Sequence, residues 1–576
     1  MNIKSPNREN LQRRLDAALG TRECDLRIDN VRWLDVFSSR FITGSVSIDN
    51  GVIVGFEGQA AKQTINGKGC TLVPGFIDAH THIESSMMLP SIFANAVVKR
   101  GTTTAICDPH EIANVVGTHG IKYFLDAATH SPIDLWVMLS SCVPATHLET
   151  NGGGDINADT LAQLAEHPRA LGLAEMMNYP GVLNASNEVI EKLLVFANKP
   201  IDGHAPLLCG KSLSAYAAAG ITSCHESSNI NEAKEKIQKG MAVWIREGSV
   251  AKDAHALVPL LTHTTCASIG FCTDDRNPYD IAHEGHLDHV LRTALAKSIE
   301  YRTAPELVYR SASYNVARHY GLHQGFNRVG AIAPGYKADL VMLDDVATCQ
   351  INRVFKVGVD ITTFSSGSYH LDAQELDAQE LMHTVKATVP QACELEGVSG
   401  TVHVITVEPG KIITGRTVSQ HNAKGVCRLA VLERYGHQQK PANAYVYGFG
   451  ELNGAIASSV GHDSHNLIVV GDNTNDMCIA LAGIINSGGG FSVAQNQTII
   501  AQLNLPYGGL MSDSSPDELA KTIETLKKAA RHIGCILPEP FLQLAFLSLP
   551  VIPSLKLTNC GLVDVDLFTV INVQAS

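Results

Sequence analysis

Hydrophobic and polar positions change rhythm three times along this chain. Between residues 26 and 58 they alternate in short runs, Val31-Arg32-Trp33-Leu34-Asp35-Val36-Phe37, Ser45-Val46-Ser47-Ile48 and Val52-Ile53-Val54, with Asp49-Asn50-Gly51 between the last two. Period-two alternation predicts half-buried strands, and Asn-Gly between two of them predicts a tight hairpin. From about residue 71 to 329 the texture becomes an apolar run, a polar residue at its end, and then a helical stretch such as 161–167 or 186–198. Repetition of that unit over roughly 250 residues is what a closed parallel (β/α)8 barrel of the TIM type requires.

Near Gly330 the hairpin style returns, with a turn at Ala333-Pro334-Gly335 followed by the strand-like run Ala338-Asp339-Leu340-Val341-Met342-Leu343. This predicts that residues 26–70 and 330–383 together form a composite β-sandwich domain beside the barrel, preceded by a helical extension at 1–25. The segment Leu371-Asp372-Ala373-Gln374-Glu375 is repeated at once as Leu376-Asp377-Ala378-Gln379-Glu380, in a polar stretch that predicts a linker. A third unit of α+β type is expected over 384–576, with strands at 402–407, 429–432 and 467–470 and a helix at 515–533. Pro550 and Pro553 keep 546–553 from forming a long helix.

The 576 residues are 45% hydrophobic and 18% charged, the composition of an ordinary soluble globular protein. Lys and Arg number 44 against 57 Asp and Glu, a formal charge of -13 with no basic block, which argues against nucleic acid as a partner and for a small neutral or cationic substrate. No apolar run approaches the length that crosses a bilayer, and the first 20 residues are too polar for an anchor or a secretory signal. The 14 cysteines include no C-x-x-C pair, so a reducing cytoplasm is the expected location.

The polar ends of the barrel runs carry the chemistry. Pro74-Gly75-Phe76-Ile77-Asp78-Ala79-His80-Thr81-His82 ends in two histidines at i and i+2, which share a face of a strand and can reach one metal. Glu175, His204, His225 and Asp274 end later apolar runs. Taken singly, each reads as well as a solvated strand end or a structural histidine, and one of Asp274 and Asp275 could merely cap the next helix. Together His80, His82, Glu175, His204, His225 and Asp274 make a nitrogen and oxygen set suited to divalent Zn, Mn or Fe, and two ions bridged by one carboxylate would use all six.

In this order the ligands resemble those of the amidohydrolase superfamily. The stretches Gly75-Phe76-Ile77-Asp78-Ala79-His80-Thr81-His82-Ile83-Glu84-Ser85-Ser86-Met87-Met88, Asp108-Pro109-His110-Glu111 and Cys272-Thr273-Asp274-Asp275 narrow the resemblance to its adenine deaminase family. Val460-Gly461-His462-Asp463-Ser464-His465-Asn466 and Gly509-Leu510-Met511-Ser512-Asp513 extend it through the third unit. The resemblance implies two divalent ions per subunit, Mn or Fe, with Zn as a third option. His80, His82 and Asp274 would hold one ion and His204 and His225 the other, with Glu175 between them where many binuclear relatives carry a carboxylated lysine. It further implies adenine as the small-molecule substrate, hydrolysed to hypoxanthine and ammonia, and a homodimer, with neither nucleic acid nor membrane as partner.

Water attacks an aromatic amidine carbon poorly at neutral pH, and a divalent metal lowers the pKa of bound water to about 7. Asp274 is the expected base and proton carrier. An acid is also needed near the base edge, because charge builds on a ring nitrogen as aromaticity is lost. Glu84, one alternation beyond His82, is the candidate, set against its reading as a cap of the following helix. His110 and Glu111 at the second strand end, and Arg246, Glu247 and Ser249 at the seventh, are candidate substrate contacts, although Arg246 paired with a barrel carboxylate would be scaffold. His465 or Asp463 could reach the pocket or a further metal, or belong to a polar turn.

Three rival readings use the same residues. A cyclic-amide hydrolase of the dihydroorotase or hydantoinase kind would keep the bridging lysine and would not need the long third unit. A polynucleotide base deaminase would pair His82-Ile83-Glu84 with a P-C-x-x-C motif that the chain does not contain. A non-catalytic scaffold should have lost ligands, and all six positions carry competent side chains.

Overall fold

A computed structural model describes residues 7–362, 378–437 and 440–575. The duplicated segment at 371–380 therefore lies mostly outside the described residues. Eight parallel strands organise the centre of the chain: β1 (Phe76–Thr81), β2 (Thr102–Cys107), β3 (Asp134–Leu139), β4 (Ala170–Met176), β5 (Ile201–Gly203), β6 (Ser223–Cys224), β7 (Ala242–Arg246) and β8 (Ile269–Cys272). β1 to β5 pair in sequence order, as do β6 to β8. The ring closes where Thr81 bridges Asp274 in parallel, with Asp274 N–H donating to the His80 carbonyl at 3.0 Å. Between β5 and β6 the Thr222 N–H donates to the Ile201 carbonyl at 3.0 Å. The result is a TIM-barrel-like ring.

Every residue of β1, β2 and β7 is buried, as expected when helices cover the outside of a parallel sheet and side chains fill its inside. One core cluster gathers Ala79, Ile106, Met138, Ala174, Trp244 and Cys272 from six different strands, with Val316 and Tyr320 packed against it. The interior is thus filled with apolar side chains, and polar groups are left to the carboxyl rim.

Strands from both flanks of the barrel join in one eight-stranded sheet. Thr71–Pro74 pairs antiparallel with Leu340–Asp345, and Cys24–Asp35 with Arg40–Asp49. The Asn-Gly hairpin forms with Asn50 and Gly51 at φ of 47° and 74°, the double left-handed turn that matches strand twist. Gly75 links this sheet to β1, and a Cβ there would lie 2.1 Å from Thr103 Oγ1. Buried Lys356 ties sheet to barrel, donating to Asp134 at 2.9 Å and Asp339 at 2.7 Å. A helix, Arg8–Ala18, precedes the sheet.

Beyond residue 400 a second eight-stranded sheet packs against helices Thr474–Asn486 and Pro516–His532. Ser515 caps the latter helix in a capping box with Glu518, which fixes its start where the sequence placed it. Residues 546–548 make one 3-10 turn and no helix follows before Pro553. Among the described residues no helix is long and apolar enough to cross a membrane.

Candidate active site

Strand ends deliver the six candidate ligands to one point. His80 lies in β1 and His82 just beyond it, Glu175 in the last turn of pleat of β4, and His204 and His225 one residue after β5 and β6. Asp274 follows β8 in a left-handed backbone, φ 54°, a conformation Asp tolerates and which turns its carboxylate toward β1. The two oxygens of Glu175 face opposite ways. Oε1 lies 3.6 Å from His80 Nε2 and 3.3 Å from His82 Nε2, while Oε2 lies 2.5 Å from His204 Nδ1 and 3.3 Å from His225 Nε2. Asp274 Oδ1 approaches His80 Nε2 at 3.3 Å and His82 Nε2 at 3.2 Å.

Surrounding groups orient this set. His82 Nδ1 donates to the Asp108 carbonyl at 3.0 Å, which leaves Nε2 as a lone-pair donor facing the centre. His80 Nε2 and His82 Nε2 are 3.0 Å apart with the Glu175 and Asp274 carboxylates around them, close enough to share a proton or to face one cation. The donor set therefore fits divalent metal ions. Burial opposes charge on Glu175, yet His204 and His225 hold its carboxyl well below the usual carboxylate range. Burial also works against a charged Asp274, and His80, His82 and Arg246 outweigh it.

Arg246, the last residue of β7, is locked by three carboxylates. Its guanidinium makes a bidentate pair with Glu226, bonds Asp274 Oδ2 at 2.9 Å and reaches Asp253 at 3.2 Å. It lines the cavity, but its donors serve the scaffold and the orientation of Asp274. Glu226, which sequence reasoning passed over, also lies 3.4 Å from His225 Nε2.

A cavity partly open to solvent lies over the ligands. Its polar wall includes His110, Glu111, Asp275, His462 and Asp463, and its apolar wall includes Ile412, Phe546, Leu549, Val551 and Ile552 from the third unit. His110 Nδ1 bonds Asp108 at 2.9 Å, and its ring meets His82 edge to face.

Four candidate contacts lie outside the cavity wall. Glu84 is not among the residues of the cavity wall: its Oε1 accepts the Ile112 N–H at 3.0 Å and so caps the helix after β2, while its Oε2 is buried without a partner and burial raises the carboxyl to about 7. Glu247 points away and accepts the Ala254 N–H at 3.2 Å. Ser249 donates to Asp280 at 2.5 Å and accepts the Asn277 N–H, bracing a helix start. His465 lies behind the wall, its Nε2 on Glu111 Oε2, and His462 takes the cavity face, its Nδ1 2.7 Å from Glu111 Oε1. Two histidines three apart in a turn carry no one-dimensional signal of which one faces the barrel. Asp108, within a recognised motif, orients two rings at once, His82 through its carbonyl and His110 through its carboxylate.

Comparison with known proteins agrees with this geometry. The profile of the Amidohydrolase family matches residues 71–369, and that of the Adenine deaminase C-terminal domain matches residues 405–569. Over half its length, then, the chain belongs to the amidohydrolase family of hydrolases. Adenine deaminase from Gluconobacter oxydans is 45% identical over 96% of this chain and 98% of its own, and adenine deaminase 1 from Rhizobium meliloti is 44% identical over 98% and 100%. Within the amidohydrolases this chain belongs to the adenine deaminase family. Among solved structures, dihydropyrimidinase from Brevibacillus agri aligns at a TM-score of 0.44 and 14% identity, covering 58% of this chain and 94% of its own.

Proposed function

We propose that this protein hydrolyses adenine to hypoxanthine and ammonia at a binuclear divalent-metal centre held by His80, His82, Glu175, His204, His225 and Asp274, with Mn or Fe as the resident ions. The observation that carries the reading is Glu175, whose oxygens divide the site into a His80 and His82 half and a His204 and His225 half. Bound ions would supply the Lewis acid that activates water. Asp274 stands where it can take the proton water gives up and return it to the leaving ammonia, and Arg246 on Oδ2 keeps Oδ1 aimed at that point. The apolar wall of the third unit suits a flat purine. Residues 71–329 are read as the catalytic barrel and 384–576 as the unit that covers its mouth, in a homodimer.

Ammonia release from adenine, adenosine and cytosine by the Mn-reconstituted protein tests the assignment. Turnover of adenine alone is expected. Turnover of adenosine without adenine would overturn it.

A further inference from the structure

Glu84 is absent from the cavity wall, with one oxygen held by the Ile112 N–H, so a donor that meets the purine ring has to come from the side chains that do line it. Four of the polar side chains on the wall are committed. Arg246 is bound to three carboxylates, His204 is a ligand, and His110 Nδ1 is held by Asp108 while its Nε2 lies 3.5 Å from Glu111. Both oxygens of Glu111 are engaged by His462 and His465. Asp275 is held by Ser85 through one oxygen, and Asp463 keeps a buried Oδ2 without a partner, but no ring contact of the kind that clamps an imidazole fixes either carboxyl.

His462 differs from these. Its Nδ1 is fixed on Glu111 at 2.7 Å, its ring stacks on Phe546 at 4.7 Å and 12°, and its backbone N–H is bound to the Ala545 carbonyl. The ring is thus clamped in plane and in rotation, and Nε2 has no partner among the described residues. We infer that His462 is a catalytic residue of the deamination, supplied by the third unit, whose Nε2–H protonates the purine ring nitrogen next to C6.

The Glu111 carboxylate supports this role, since it outweighs burial and raises the imidazole to about 9, which keeps the proton available at neutral pH. His465, by contrast, is pushed by burial down to about 4 and serves Glu111 as a neutral donor. The proton count closes. Water divides into the oxygen nucleophile that bonds C6 and a proton taken by Asp274, while Nε2–H passes to the ring nitrogen. When the C6–N bond breaks, the amino group leaves as ammonia with the Asp274 proton, and the C6 hydroxyl proton returns to His462 as the carbonyl forms. The product keeps the ring N–H.

The inference rests on deamination of adenine being the reaction, and the test separates the two. His462→Asn keeps an amide N–H where Nδ1 meets Glu111 but removes Nε2. Its kcat for adenine should fall about 10²- to 10⁴-fold, the range for a general acid, with KM within about threefold, bound Mn unchanged and Tm within a few degrees of the parent. In His462→Gly, added imidazole should restore ammonia release in a saturable way that sodium chloride at equal ionic strength does not. A parent chain that leaves adenine untouched would sink the deaminase reading itself. An active parent beside H462N of near-parental kcat, or a soluble Mn-loaded H462G that imidazole does not rescue, would overturn the role of His462 alone.

Discussion

Replacing Lys556 with Met should change stability in a way that depends on pH. Lys556 lies wholly buried in the strand Leu555–Thr558, its Nζ 2.8 Å from the Phe546 carbonyl and 3.0 Å from the Ile412 carbonyl, and no carboxylate pairs with it among the described residues. A neutral amine has two N–H bonds, matching these two acceptors. The third N–H of the ammonium has none, and burial pushes the lysine from its ordinary 10.5 down to about 7. Because the folded value lies below the unfolded one, the unfolded chain holds a proton above pH 7 that the folded chain has released. Stability from this group therefore rises as pH climbs through the window from about 7 to about 10.5 and is flat below it. Linkage gives about 2 kcal/mol in favour of the folded parent between pH 7 and 9. K556M cannot titrate. It strands two carbonyls at a constant cost of about 1–3 kcal/mol each, so its Tm should fall behind the parent's by a further 4–8 °C or so across that interval. Scanning calorimetry of both proteins in matched buffers at pH 7 and 9 measures the difference. A pH-independent gap would refute the argument, since it would mean that the amine stays charged in the fold.

Three other perturbations follow from the same geometry. Lys356→Met leaves Asp339 buried without its cation and should destabilise the junction of sheet and barrel by about 3–5 kcal/mol, read as a lowered Tm. Asp274→Asn should cut ammonia release from adenine at least about 100-fold while the other five donors retain most of the bound Mn, and metal analysis alongside the assay would expose the alternative of simple metal loss. Chelation of the metal should abolish activity and lower Tm, both being restored by Mn, because a ligand bound at 100 times its Kd adds about 3 kcal/mol to the folded state. An unchanged Tm would indicate that the donor set is not occupied.

Features encoded within a few residues were legible in the sequence. Asn50-Gly51 specifies its turn through two left-handed backbones, Ser515 and Glu518 specify a helix start, and the six side chains that the fold brings to one point stand out as polar residues ending apolar runs. Destinations set by distant chain were not legible. Glu84 could be read as an acid or a cap, and it caps a helix 28 residues away. The partner of Arg246 is Glu226, on the neighbouring strand end, and nothing local distinguishes it from any other carboxylate after a histidine. The same holds for His462 and His465, since the Glu111 they share lies 354 residues from His465.

Those distant contacts make the third unit part of the active site. Glu111 is buried at the mouth of β2 with Asp463 and Asp275 nearby, and burial alone would drive its carboxyl toward the neutral form. His462, His465 and His110 hold it well below the usual range instead, and the first two belong to a turn that the barrel does not contain. A barrel deprived of that turn would keep the strand-borne ligands but lose the imidazolium of His462 and the neutral donor His465 that face Glu111, and loss of the charged partner is of the kind that costs about 3–5 kcal/mol for a buried ion pair. The same removal would open the apolar wall of Ile412, Phe546 and Leu549 over the ligands. Folding of the barrel mouth and placement of a ring-protonating imidazole therefore depend on one docking event, in which His462 and His465 close on Glu111.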